Sequence, residues 1–304
     1  MRYIDRNGNI IDKPESNDLS VKFLYNTPLG RTILKPLVHP LFSKIGGKLM
    51  NSSLSTLAIP GFIKNNGINM KDFPKKTYRS FNDFFTRRIK ENVRPINRDP
   101  HTLISPCDSY LSVYNISGNG TFSIKDTKYT LPMLLHSRKL ARQFEGGYAL
   151  VFRLTVSDYH RYIYPVNGVS SHLYKIPGKL NTVNPLANDS KPIYKENARE
   201  FVVINSHHFG HIVQMEVGAL LVGKITNHKD SYHMIKRGEE KGYFEFGGST
   251  IILLLRENQI ELREDLLQNT YNGFETQLHL GDVIGHSISA SKKIKKTLAF
   301  NDKT

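Results

Sequence analysis

The chain has 304 residues, 39% of them apolar, which suits a soluble protein with a real core built as one large or two small domains. Lysine and arginine outnumber aspartate and glutamate by 42 to 27, and the net charge of +15 points to a polyanionic partner, either nucleic acid or a membrane surface. The single cysteine, Cys107, excludes an internal disulfide framework and a four-cysteine zinc site.

The opening "MRYIDRNGNIIDKPESND" is polar and mixed in charge, so it does not read as a secretory signal. No apolar run approaches the roughly 20 residues that a spanning helix needs, so membrane association is expected to be peripheral. Residues 19–57 mix apolar and basic residues at helix-like spacing, and Pro28, Pro36 and Pro40 cut them into short helices. Two readings stay open there: apolar faces flanked by Arg31, Lys35, Lys44 and Lys48 lie on lipid, or the helices form an ordinary packed hairpin.

In "SFNDFFTRRIKENVRPINRD" Ser80 is placed to cap a helix, with Phe81, Phe84, Phe85 and Ile89 on one face and Pro95 ending it. From about residue 102 the texture changes to short β-branched or aromatic runs separated by Gly, Asn, Asp and Pro. One helix is expected inside that region, in "LPMLLHSRKLARQFEGG", ended by Gly146. The fold class is therefore α+β: a helical N-terminal segment, residues 1–98, followed by a mostly antiparallel β domain, residues 99–304.

Several residues in the β region invite chemistry, and each has a plainer reading. Asp108 in "SPCDS" either caps its own loop or acts in a site. His160, among Tyr159, Arg161 and Tyr162, is either a hydrogen-bonded structural residue or a base. Cys107 is read as a small apolar filler and not as a nucleophile. His207, His208 and His211 are interrupted by Gly210 and read as a surface loop, so no metal site is expected. "PGKLNTVNP" is a site loop or a hairpin connection. In "EEKGYFEFGGSTIILLL", Gly247 and Gly248 free the backbone, and the Ser249 hydroxyl can reach the preceding carbonyl. Gly-Gly-Ser-Thr alone is a common turn.

Taken together, "FNDFFTRRI", "SPCDS", "DYHRYIYPVNG", "PGKLNTVNP", "VGALLVGKI" and "KGYFEFGGSTIILLL", in that order over residues 80–255, resemble the phosphatidylserine decarboxylases, a self-processing, pyruvoyl-dependent family. The resemblance implies autocleavage between Gly248 and Ser249 into a β subunit (1–248) and an α subunit (249–304) that stay packed together. Ser249 would become the covalent pyruvoyl cofactor, with Asp108 and a histidine completing the self-cleavage triad. The implied reaction forms phosphatidylethanolamine and CO2 through a Schiff base on that group, with no metal, and His160 is the natural acid for the α-carbon.

The sequence departs from the family's Asp-Tyr-His-Arg-x-His pattern at Ile163, where the second histidine usually stands. His160 is then expected to serve as the base; the alternative is a non-processing, non-catalytic lipid-binding relative. "SPCDS" also places Ser109 where the family usually has glycine. The expected partners are phosphatidylserine and an anionic phospholipid surface on the cytoplasmic side of the cell membrane, and a homodimer stays open. Nucleic acid is not expected, because the basic residues are dispersed and no aromatic–glycine or recognition-helix motif occurs.

Overall fold

The computed structural model describes residues 2–12, 27, 29–30, 32, 46–124, 127–180, 193–219, 224–247 and 249–288. Most of the expected N-terminal helices, including Arg31, Lys35 and Lys44, lie outside these residues, as do Gly248 and parts of "PGKLNTVNP" and "VGALLVGKI".

The run Ser249–Leu255 forms the structural axis. Each of its seven residues is buried, which is what an apolar run without polar alternation demands of a strand covered on both faces. Removing each of Ile251 to Leu255 from water is worth about 1.5–3 kcal/mol. This strand lies between Gly210–Val217 and Tyr148–Leu154 in a sheet of eleven described strands. The order along the sheet is His233–Ile235, Gly168–Ser170, Arg199–Ser206, Gly210–Val217, Ser249–Leu255, Tyr148–Leu154, Ser109–Asn115, Glu275–Leu278, Arg2–Ile4, Ile10–Asp12. Tyr174–Ile176 pairs with Arg199–Ser206 off this path. Pairing is antiparallel except between Arg2–Ile4 and Glu275–Leu278. The mainly β domain therefore agrees with the sequence pattern.

The helical reading of the N-terminal segment does not extend to its first twelve residues. Arg2–Ile4 and Ile10–Asp12 form a hairpin on the edge of the large sheet, turned by Gly8 at φ 84° with Asp5 accepting from the Asn7 and Asn9 amides. Downstream, the described residues form a helix at Ile59–Asn66, ended by Gly67 at φ 61°, and a short one at Phe81–Phe85.

A second sheet, ordered Ile225–Asn227, Glu240–Phe244, Arg161–Ile163, covers one face of the large sheet. Side chains cross the gap: Gln214 Nε2 donates to the Ile163 carbonyl at 3.1 Å, and Lys241 Nζ meets Glu216 at 2.6 Å. Glu216 is paired with Ile251 and Gln214 with Leu253, so the face carrying Ser249, Ile251 and Leu253 is turned towards the small sheet. The opposite face carries Thr250 and Arg153 and is covered in part by the helix Glu264–Tyr271, whose Thr270 hydroxyl accepts from the Val113 amide. The single helix expected in residues 131–146 is two, Leu131–Leu135 and Arg138–Ala141, broken at His136 with φ 51°. The buried Arg199 guanidinium takes the Met133 and Leu134 carbonyls and so ends the first of them. Gly146, at φ 74°, closes the segment as its sequence suggests.

Candidate active site

Three strand ends converge where the large sheet meets the small one. Tyr148–Leu154 runs out into the turn 155–158, and its Leu154 is paired with Ser249, the first residue of the central strand. On its other side Ser109–Asn115 begins immediately after Asp108. The turn is fixed by Asp158, whose Oδ2 accepts from the Thr155 amide at 2.6 Å and hydroxyl at 2.8 Å. That turn delivers His160.

His160 is 1% exposed. Its Nδ1 lies 2.8 Å from the Asp158 carbonyl, which can only accept, so Nδ1 carries the hydrogen and Nε2 presents a lone pair. Among the described residues Nε2 is enclosed without a hydrogen-bond partner. The Phe85 ring lies 4.1 Å from the imidazole. Burial, with the nearby Arg87 charge, pulls the imidazole down to about 3 against the opposing pull of the Asp158 and Gly247 backbone. His160 is thus a neutral imidazole set against the residue that precedes Gly248.

The segment leading to Ser249 is tied at each step. The Phe244 amide donates to the His160 carbonyl at 3.0 Å and the Glu245 amide to the Lys224 carbonyl at 3.0 Å. The Phe246 amide donates to Asn82 Oδ1 at 3.0 Å, and the Phe246 ring packs among Phe62, Phe81 and Phe85. Gly247 has φ 140°, outside the range that side-chain-bearing residues favour, which is a reason for glycine there. Two residues on, Ser249 has 0% exposure, and among the described residues its Oγ has no hydrogen-bond partner. A buried hydroxyl without a partner costs free energy, so this one is held by the fold and not by its own bonding.

Asp108 is placed differently from a direct triad member. Arg94 grips both of its oxygens, Nε to Oδ1 at 3.0 Å and Nη2 to Oδ2 at 2.6 Å, and the Leu280 amide donates to Oδ1 at 2.7 Å. Among the described residues no hydrogen bond joins Asp108 to His160. Ser109, which follows Asp108, and Ser249 begin the two strands that flank Tyr148–Leu154, and these strands lie about 10 Å apart, two strand spacings. The Asp108 charge is felt at Asp158, whose carboxyl burial and Asp108 together push up to about 6. Ile163 is buried with Phe73, Ile104, Tyr159 and Leu280, beside the loop that binds Asp108. The structure thus gathers His160, the Gly247 backbone and Ser249 into one place and holds Asp108 to one side.

Asn82, Arg87, Arg94 and Asp158 border this site without being candidates from sequence, and Phe85, which the sequence places only on a helix face, packs against His160. Asn82 and Phe85 find their partners far along the chain, at Phe246 and His160, whereas Asp158 meets Thr155 and Arg87 meets the Phe84 carbonyl within three residues. The described residues contain no group of three His, Cys, Asp or Glu side chains able to hold a metal ion. His207 and His208 sit in the turn between Arg199–Ser206 and Gly210–Val217, as a loop reading requires, whereas His211 departs from it and lies in the second strand, its Nδ1 2.9 Å from Gln143 Oε1. Cys107 is fully buried, and burial pushes its thiol well above the usual range.

The residues fit a pyruvoyl precursor on their own geometry: an enclosed hydroxyl without a partner, a permissive glycine before it, and a neutral imidazole against that glycine. Comparison with known proteins points the same way. Residues 81–286 match the family model described as phosphatidylserine decarboxylase. The chain is 46% identical to "Phosphatidylserine decarboxylase proenzyme 2" of Clostridium acetobutylicum over 268 residues, 88% of this chain and 91% of that one. It is 40% identical to the phosphatidylserine decarboxylase proenzyme of Clostridium kluyveri, covering 87% and 91% of the two chains. With the Fusobacterium nucleatum proenzyme the identity is 35%, covering 94% and 97%. Site geometry, motif order and near full-length similarity lead to one conclusion: the chain belongs to the phosphatidylserine decarboxylase family.

Proposed function

We propose that the chain severs itself between Gly248 and Ser249 and then converts phosphatidylserine to phosphatidylethanolamine and CO2. The observation that carries this reading is the unprotonated, unpartnered His160 Nε2 lying against the segment that ends in the enclosed Ser249 hydroxyl. In the first step His160 takes the hydroxyl proton as Ser249 Oγ attacks the Gly248 carbonyl carbon. The peptide C–N bond breaks, the proton passes to the freed amine, and an ester links the two halves. Loss of the Ser249 α-proton then expels residue 248 as a carboxylate. The dehydroalanine left behind takes up water and releases ammonia, so the second chain starts with a pyruvoyl group. Asp108 contributes its charge at a distance, through the Asp158 turn that holds His160.

Once formed, the pyruvoyl group supplies an electron sink for the electron pair left by the departing CO2. His160 Nε2 takes a proton from the entering substrate ammonium and returns it to the substrate α-carbon, and the aromatic cluster of Phe81, Phe85 and Phe246 keeps water from that proton. The lead-in segment, read as a helical docking element, exposes Leu49, Leu54 and Leu57 by 61%, 74% and 81% in the same stretch as Lys48 and Lys64. With the charge of +15, this suits peripheral docking on an anionic cytoplasmic leaflet. No helix among the described residues is long and apolar enough to cross a membrane.

The test is the intact mass of the purified chain together with amine trapping under borohydride. Two fragments, the smaller starting in a pyruvoyl group, are expected, and Ser249→Ala is expected to leave one chain and no CO2 release. Cleavage in the Ser249→Ala protein would remove the serine assignment. Ile163, where the family usually has a second histidine, favours the second reading of an uncut lipid-binding relative; a wild-type chain that stays whole and still binds anionic vesicles would establish it.

A further inference from the structure

Arg87 is a buried cation with no counter-charge among the described residues. It is 6% exposed, and its guanidinium carbon lies 4.1 Å from the Phe73 ring centroid and 4.5 Å from that of Phe84, so the plane is held between two aromatic rings. Of the five N–H donors of the guanidinium, one is engaged among the described residues, Nη1 with the Phe84 carbonyl at 3.2 Å, and Nε is enclosed without an acceptor there. Among the described residues no carboxylate forms an ion pair with it, whereas Arg88, Arg94, Arg153 and Arg161 each hold one. The groups whose charge it feels are the Tyr78 and Tyr159 hydroxyls, and burial pulls it down to about 10. Its own charge reaches His160.

A buried, unpaired guanidinium is costly, and a fold keeps one where an anion arrives to complete it. We infer that Arg87 is a binding residue for the phosphodiester of the lipid substrate, a deepening of the decarboxylase reading on which it rests. The substrate offers two anions, and the reaction itself separates them. A cation on the carboxylate would hold the ground state more tightly than the transition state, in which that charge is leaving, and would slow the step. The phosphodiester keeps its charge throughout, so binding it fixes the headgroup next to His160 without penalty. The planar fork suits two non-bridging oxygens, and the aromatic rings fix its orientation beforehand.

The experiment uses Arg87→Met with a short-chain, water-soluble phosphatidylserine. Self-cleavage is expected to reach completion, and the melting temperature is expected to stay level or rise, because an unpaired buried charge has been removed. KM is expected to rise about tenfold or more with kcat within about threefold, the pattern of lost uniform binding. Two inhibitors separate the anions: short-chain phosphatidylethanolamine has the phosphodiester only, and O-methylserine the carboxylate only. The first should lose inhibition in the variant by the same factor as KM, and the second should not. Unchanged KM and inhibition overturn the proposal, and so does a loss confined to O-methylserine. If Arg87→Met fails to fold or cleave, calorimetry of short-chain phosphatidylethanolamine binding to Ser249→Ala, with and without Arg87→Lys, decides it. Weaker binding to the lysine form supports the fork, and equal binding overturns it. An uncut, inactive wild type would defeat the decarboxylase reading alone, since the calorimetric comparison needs no turnover.

Discussion

His160 owes its chemical state to enclosure more than to any partner, and that has a consequence for acid stability. In the unfolded chain its imidazole titrates near its ordinary value of 6.5, while burial and Arg87 bring it to about 3 in the fold. Between those values the unfolded chain binds the extra proton, so stability is complete above pH 6.5 and is lost as the pH falls towards 3. From pH 7 to pH 4.5 this one residue should remove about 2–3 kcal/mol. Urea unfolding of the uncut Ser249→Ala chain, with and without His160→Gln, measures it: the glutamine form should lose that much less stability over the interval. Parallel losses would mean the imidazole is not enclosed as described. The same residue marks how far the sequence could be read. The motif "DYHRY" identifies the histidine, but its tautomer depends on a backbone carbonyl two residues earlier and its affinity for protons on rings from another segment. Asp108 was equally visible, yet its engagement by Arg94, fourteen residues upstream, carries no local signature.

At the scale of elements, the helix Phe81–Phe85 acts as a clamp on the segment that leads to Ser249, where cleavage is proposed. Ser80 caps it through the Asp83 amide, as the sequence indicates. Its expected continuation through Ile89 to Pro95 fails at Thr86, whose hydroxyl bonds back to the Asn82 carbonyl while Arg161 takes the Thr86 carbonyl at 2.7 Å. Ile89 consequently packs in the cluster with Phe73 and Tyr159, away from Phe81 and Phe84. Within the short helix Asn82 is 4% exposed and holds the Phe246 amide, with its own amide group directed to Asn51 Oδ1 and Glu245 Oε2. Asn82→Ala should strand the Phe246 donor, lower stability by about 1–3 kcal/mol and slow self-cleavage by about tenfold or more. The half-time of fragment appearance after translation and the urea midpoint read the two effects separately. A stability loss with an unchanged half-time would show that the clamp is structural only.

For the whole molecule, the proposed self-cleavage raises the question of what would keep two chains together with the bond before Ser249 cut. The proposed cut would fall between the small sheet, which ends at Phe244, and the central strand of the large one, which begins at Ser249. The downstream chain supplies that central strand, and also Glu275–Leu278 between Ser109–Asn115 and Arg2–Ile4, so it is woven into the sheet at two places. The upstream chain's last strand is fixed across the interlayer gap by Lys241 Nζ, 2.6 Å from Glu216 and 2.6 Å from Asn227 Oδ1, the ion pair being 1% and 0% exposed. Long apolar runs announced the core strands, whereas nothing local couples Lys241 to Glu216 twenty-five residues away. Gel filtration of cleaved protein should give one particle containing both fragments, separable only by denaturant. Lys241→Met should leave Glu216 buried without its partner, at about 3–5 kcal/mol, and lower the melting temperature by on the order of 10 °C. Adding Glu216→Leu should recover most of that loss, because two apolar side chains in the gap need no compensation. A double variant no more stable than Lys241→Met would show that the pair does more than hold the sheets together, and would direct attention to the unpartnered Glu216 Oε1 on the face that also carries Ser249.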